Sequence, residues 1–101
     1  FASDNNLEAI VDLDKAIELD SSQSQYYMAR GLCNSNLKKF KESIADYSEV
    51  IMLDSTNAIA YEMRGINKNR LHNKSGACSD WKMASKLGNK DADDFIQKFC
   101  N

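Results

Sequence analysis

Residues 24–57 read SQYYMARGLCNSNLKKFKESIADYSEVIMLDSTN, and residues 58–91 read AIAYEMRGINKNRLHNKSGACSDWKMASKLGNKD; both segments are 34 residues long and lie in register. Tyr27, Arg30, Gly31, Leu37, Asp46 and Leu53 of the first fall on Tyr61, Arg64, Gly65, Leu71, Asp80 and Leu87 of the second. The same shift carries Glu8, Ile10, Asp12, Ile17, Leu19, Asp20 and Ser21 onto Glu42, Ile44, Asp46, Ile51, Leu53, Asp54 and Ser55. A fixed period of this order marks a repeat architecture, in which one unit cannot close its own apolar face and neighbours stack to bury it.

Within the period the apolar spacing is helical. Leu7, Ile10, Leu13 and Ile17 recur at steps of three and four, with Glu8, Asp12, Asp14 and Lys15 between them. Ile44, Tyr47, Val50 and Ile51 repeat that stripe. Breaks fall at Asp20-Ser21-Ser22, Asp54-Ser55-Thr56-Asn57 and Gly88-Asn89-Lys90, where Asp, Ser and Asn can end one helix and cap the next. The pattern predicts helices over 5–19, 24–37, 41–53, 58–71, 75–87 and 90–99. Proline is absent and only 4 glycines occur, too few for a chain of strands and tight turns. Gly31 and Gly65 lie mid-helix, where Gly costs about 1 kcal/mol against Ala, so a neighbouring helix is expected to approach there.

These residues resemble the tetratricopeptide repeat family. Its pattern has an early aromatic and a central Gly in helix A, then an aromatic, a small residue, an aromatic and another small residue in helix B. Residues 24–57 supply Tyr27, Gly31, Phe40, Ser43, Tyr47 and Val50, and residues 58–91 supply Tyr61, Gly65, Ala77, Trp81 and Ala84. The chain departs from the family at its closing proline, replaced by Ser21, Ser55 and Asn89, and at Lys74, where an aromatic usually opens helix B. The resemblance implies an all-α fold: an α-solenoid of antiparallel helix-turn-helix hairpins with a C-terminal capping helix. Residues 1–23 are expected to be helix B of a truncated repeat, 24–57 and 58–91 two repeats, and 92–101 the cap, together one domain. The first residue is Phe, so the sequence reads as a trimmed piece of a longer array.

Composition narrows the function. The net charge is -2, and the longest basic cluster, Lys38, Lys39 and Lys41, is interrupted by Phe40, so nucleic acid is not an expected partner. No apolar run approaches the roughly 20 residues of a membrane span. Neither a nucleophile–base constellation nor a Gly-rich phosphate loop is present, and carboxylates alternate with lysines as on solvated helix faces. No catalytic residue, cofactor or metal is therefore expected; His72 stands alone near a turn, away from any metal-type cysteine spacing.

The resemblance implies a partner protein or peptide in a concave groove lined by the A helices. By the family's pattern the groove positions are Gln25, Met28, Leu32, Ser35, Asn36, Ile59, Glu62, Met63, Ile66, Asn69 and Arg70. The family's clamp for a terminal carboxylate uses Lys, Asn and Arg; those positions here hold Met28, Ala29, Leu32, Ile59 and Met63, so that clamp is absent. A scaffold or adaptor role is the expected function, and a structural, self-associating segment is the alternative. The open N-terminal end, with the stripe from Leu7 to Ile17, suggests a homodimer. Arg30 and Arg64, each preceding the helical Gly, are expected to pair with the recurring aspartates Asp12, Asp46 and Asp80.

Cys78 lies eleven residues before Asn89 and Cys100 eleven after, so a hairpin folded there sets the two thiols opposite each other. Two states stay open: a disulfide pointing to a periplasmic or otherwise extracytoplasmic compartment, or two buried reduced thiols consistent with the cytoplasm. Cys33 reads as a small core residue.

Overall fold

A computed structural model describes residues 2–101, with side chains from Asn5 onward. It contains α1 (Ala2–Leu19), α2 (Ser24–Asn36), α3 (Phe40–Leu53), α4 (Ala58–Arg70), α5 (Lys74–Lys86) and α6 (Lys90–Phe99). Each helix packs on the next in the sequence, giving a stack 41 × 28 × 19 Å along its principal axes. Helix boundaries fall close to the expected ones, except that α1 starts three residues earlier, at Ala2.

The connections are of two chemical kinds. The four-residue links α1–α2 and α3–α4 open with an aspartate. Asp20 Oδ1 accepts from the backbone N–H and the hydroxyl of Ser22 at 3.0 and 2.6 Å. Asp54 Oδ1 does the same for Thr56, at 3.1 and 2.7 Å. Such turns satisfy the exposed backbone with a side chain rather than with a helix bond. The three-residue links α2–α3, α4–α5 and α5–α6 turn through a left-handed residue instead: Lys38 (φ 62°), His72 (φ 64°) and Gly88 (φ 99°). In each, the N–H of the following residue returns to the preceding helix: Lys39 to Asn34 O, Asn73 to Lys68 O and Asn89 to Ala84 O, at 2.8, 2.9 and 3.0 Å.

Here the structure departs from the 34-residue period. Gly88 occupies the place of Asp20 and Asp54 but lacks their carboxylate, and the chain uses the left-handed turn found inside the earlier hairpins. Helix α6 runs from Lys90 to Phe99, the span expected for the last helix and two residues ahead of where the period would start it, capped by Asn89 Oδ1 accepting from Ala92 N at 3.0 Å.

Two apolar clusters fill the stack. Tyr27, Tyr47, Val50 and Ala60 form one, and Ala77, Trp81, Ala84 and Ala92 the other. The two mid-helix glycines let these rings lie against backbone. A Cβ built on Gly65 would sit 2.6 Å from Trp81 Nε1, and one on Gly31 would sit 3.0 Å from Tyr47. Between the clusters runs a buried polar ladder. Ser43 Oγ donates to Gly31 O at 2.7 Å, and Asn67 Nδ2 donates to Ser43 Oγ and Met63 O at 2.8 and 3.0 Å. Ser35 Oγ completes it, donating to Asn67 Oδ1 at 3.0 Å, so every buried polar atom here has a partner.

Candidate functional site

The face built from α2, α4 and α6 carries two hollows. The larger, about 440 Å³, lies between α2 and α4 and is lined by Gln25, Met28, Ala29, Leu32, Tyr47, Ile59 and Met63. Its walls are almost wholly apolar. Leu32 and Ile59 stand 48% and 53% exposed at its rim, whereas Met28 and Met63 reach inward and pack on Tyr27, Tyr47, Val50 and Ala60. The methionines thus serve the core as well as the surface, a role their spacing alone did not announce. Tyr47 also lies outside the sequence expectation, because it belongs to a B helix and shows in the hollow only across the glycine contact at Gly31.

The second hollow, about 260 Å³, lies between α4 and α6 and gathers Ile66, Asn69, Arg70, Trp81, Phe95 and Phe99. Phe95 stacks on Trp81 at 5.1 Å between centroids, and Phe99 tilts against it at 5.7 Å. Arg70 lies over the ring of Phe40 at 5.9 Å. The other expected groove residues make contacts between helices. Ser35 joins the buried ladder, and Asn36 Nδ2 donates to Asn6 Oδ1 at 3.4 Å. The Glu62 carboxylate accepts from Asn89 Nδ2 at 2.8 Å, and its backbone carbonyl accepts from Trp81 Nε1 at 3.2 Å, tying α4 to the α5–α6 turn.

Beside these hollows the repeated arginines form two ion-pair rungs. Arg30 donates through Nη2 and Nε to Asp46 Oδ1, at 2.7 and 3.0 Å, and through Nη1 to Asp14 Oδ1 at 2.8 Å. Arg64 donates through Nη2 and Nε to Asp80 at 2.7 and 2.8 Å, and through Nη1 to Ser48 Oγ at 3.1 Å. Asp14, rather than the expected Asp12, is the third member of the first rung, and Asp12 stays exposed. The rungs differ at matching positions: Asn34 donates to Asp46 at 3.0 Å, and Lys68 approaches Asp80 at 3.1 Å. Because Ser48 stands in the second rung where Asp14 stands in the first, the first rung is net negative and the second net positive. The hydrogen bonds it donates to Asp46 raise the Arg30 guanidinium above its ordinary value, and those to Asp80 do the same for Arg64. Among the described residues no cluster of His, Cys, Asp and Glu could hold a metal ion.

The structure brings Cys78 of α5 and Cys100 together as a disulfide, with a Cα–Cα distance of 5.8 Å. Cys33 is free and partly covered, and burial pushes its thiol up. Among the described residues no helix is long and apolar enough to cross a membrane.

Stacked antiparallel hairpins, glycine-backed aromatics and a grooved helical face define the class: a helical-repeat α-solenoid. Residues 24–57 match the family "Tetratricopeptide repeat" in sequence. Among solved structures the chain is similar to the Arabidopsis OM64 TPR domain, at 24% identity over 95% of this chain and 81% of that one, with a TM-score of 0.88. It is also similar to the first TPR of Spaghetti (RPAP3) bound to HSP90 peptide SRMEEVD, at 23% identity over 95% and 78%, TM-score 0.89. The Yersinia enterocolitica type III secretion translocator chaperone SycD aligns at 16% identity over 96% and 73%, TM-score 0.90. No curated protein matches the chain in sequence. One tetratricopeptide repeat, residues 24–57, is matched by sequence, and the described stack shares the fold of solved tetratricopeptide domains.

Proposed function

We propose that this chain is a non-catalytic protein-interaction module whose hollow between α2 and α4 takes the apolar anchor side chains of a partner peptide. The observation that carries the reading is the hollow itself: about 440 Å³, apolar-walled, with Leu32 and Ile59 half exposed at its rim. Apolar side chains held open beside a preformed depression favour a peptide that buries one or two residues of its own. Solved neighbours support a peptide ligand in general: the RPAP3 domains were determined with the HSP90 peptide SRMEEVD and the HSP70 peptide SGPTIEEVD. Here Met28, Leu32, Ile59 and Met63 offer no cation for an acidic tail, so the ligand class is apolar.

A displayed library of random peptides, selected on the oxidised chain, tests this reading. Selected peptides should share aliphatic or aromatic anchors, and binding should fall at least about tenfold in Leu32→Glu/Ile59→Glu, with a thermal melt of the variant beside the parent as the check on folding. Peptides that need a free acidic C-terminus, or that bind the variant equally, would overturn it.

A second reading, self-association, draws on α1. Leu7 and Val11, one turn apart, are 48% and 54% exposed, a face that a second copy could cover. Light scattering across concentration, with Val11→Glu as the control, separates a dimer through α1 from a monomer.

A further inference from the structure

The Cys78–Cys100 bridge opens onto a surface hollow of about 320 Å³ lined by Lys74, Ser75, Cys78, Lys82, Cys100 and Asn101. Lys74, Cys78 and Lys82 recur every four residues along one face of α5, so a lysine stands one turn to either side of Cys78 and both line the hollow. Both lysines are exposed and both cysteines partly so. A bridge in reach of solvent and flanked by cations attracts an incoming thiolate and stabilises a departing one, the two requirements of thiol–disulfide exchange.

What the bridge holds is slight by itself. Helix α6 has 10 residues, below the length at which an isolated helix persists in water. Ala92 alone is fully buried, while Phe95, Ile96 and Phe99 are half-buried. Its polar anchors, Asn89 to Glu62 and Ser85 to Asp93, sit at the N-terminal end. The C-terminal end rests on the disulfide and on the contacts of Phe95 and Phe99 with Trp81.

We propose that Cys78–Cys100 is an exchange-competent disulfide whose reduction by a dithiol undocks the C-terminal half of α6 and uncovers Trp81. A thiolate of the dithiol attacks one sulfur of the bridge; the Cys78–Cys100 bond breaks as a mixed disulfide forms, and the other cysteine leaves as a thiolate. The second thiolate of the dithiol then displaces the protein sulfur and closes its own disulfide. Two electrons have passed to the protein, Cys78 and Cys100 take up two protons, and the dithiol is oxidised. Trp81, 1% exposed in the oxidised chain, loses the rings of Phe95 and Phe99, and the 260 Å³ hollow they complete is dismantled. The 440 Å³ hollow contains no α6 residue and persists, so this inference stands or falls separately from peptide binding.

The chain's single tryptophan, Trp81, reports the event. Native protein is treated with dithiothreitol, thiols are counted by maleimide labelling and mass, and Trp81 emission and amide exchange of α6 are followed together. Expected are two newly labelled cysteines, red-shifted emission, and about a hundredfold loss of protection in Phe95–Phe99 while α2 and α3 keep theirs. Cys78→Ser/Cys100→Ser should show the reduced-state signals from the start and ignore the reductant. Lys74→Gln/Lys82→Gln should keep the bridge but slow its reduction several-fold. The proposal is overturned if the bridge opens only when the whole chain unfolds, if emission and exchange are unchanged on opening, or if the double serine variant protects α6 as the oxidised chain does. An unchanged reduction rate in the lysine variant overturns the part given to the lysines.

Discussion

Arg30 and Asp46 are joined by a forked ion pair, Nη2 to Oδ1 at 2.7 Å and Nε to Oδ1 at 3.0 Å, with Asp46 only 4% exposed and Arg30 25%. Asp46 keeps only the Asn34 amide if the guanidinium is removed, whereas Asp80 in the equivalent place keeps Lys68. A buried carboxylate left without a cation is costly, and a second cation softens the loss. Arg30→Met should therefore destabilise the fold by about 3 kcal/mol and Arg64→Met by roughly half as much. Urea unfolding of the two variants side by side measures the difference; equal losses would show that Lys68 does not compensate.

The two glycine contacts predict different outcomes for the same substitution. Alanine gains about 1 kcal/mol of helix propensity at either site. At Gly65 its Cβ would stand 2.6 Å from Trp81 Nε1, in a ring that is 1% exposed and bonded to the Glu62 carbonyl. That ring cannot withdraw cheaply, so Gly65→Ala should lose about 2 kcal/mol net. At Gly31 the closest atom, on the Tyr47 ring, is 3.0 Å away, and a shift of a few tenths of an ångström suffices. Gly31→Ala is expected within about 1 kcal/mol of the parent. Thermal melts resolve the two, since 1 kcal/mol moves a domain of this size by about 4–8 °C.

Asn67, fully buried, hydrogen-bonds both Ser43 and Ser35. Asn67→Ala leaves two hydroxyls short of a partner and opens a cavity, for an expected loss of about 2–4 kcal/mol. A loss under about 1 kcal/mol would mean that water replaces the amide at no cost.

Tyr47 sets an alkaline limit. Burial, helped by Asp46, pushes its phenol from 10.0 up to about 12. The folded chain holds the proton more tightly than the unfolded chain, so its stabilising effect is complete below pH 10 and is lost as pH rises from about 10 to about 12. Tyr47→Phe should flatten the fall in stability over that range and change little at neutral pH. Denaturant midpoints recorded from neutral to alkaline pH check this.

Much of the architecture could be read in one dimension. The repetition of Tyr27, Arg30 and Gly31 at Tyr61, Arg64 and Gly65 marks helix positions that must meet the same neighbours, because a stacked repeat presents the same environment each time. The arginine and aspartate pairing was legible for the same reason. The third partner was not: Asp12 and Asp14 differ by two residues, about half a helical turn, and only the packing of α1 on α2 decides which one faces Arg30. The candidate groove was legible as a set of positions, but not as a surface. Met28 and Met63 turned to the core, Ser35 to Asn67 and Glu62 to Asn89, because long or polar side chains choose among several neighbours that no spacing rule ranks.

The amino-acid sequence by itself determined the helices, the period and the ion-pair positions, since these follow from local apolar spacing repeated in register. The tertiary structure alone decided that the last turn is of the left-handed kind, that the two opposed thiols are bridged, and that Phe95 and Phe99 close over Trp81. Gly88, with no carboxylate to close a turn and a φ of 99° open to it, folds α6 back as a third hairpin arm. That turn sets Cys100 beside Cys78 and the rings of Phe95 and Phe99 over Trp81, contacts between residues far apart in the chain that exist only once α5 and α6 lie side by side.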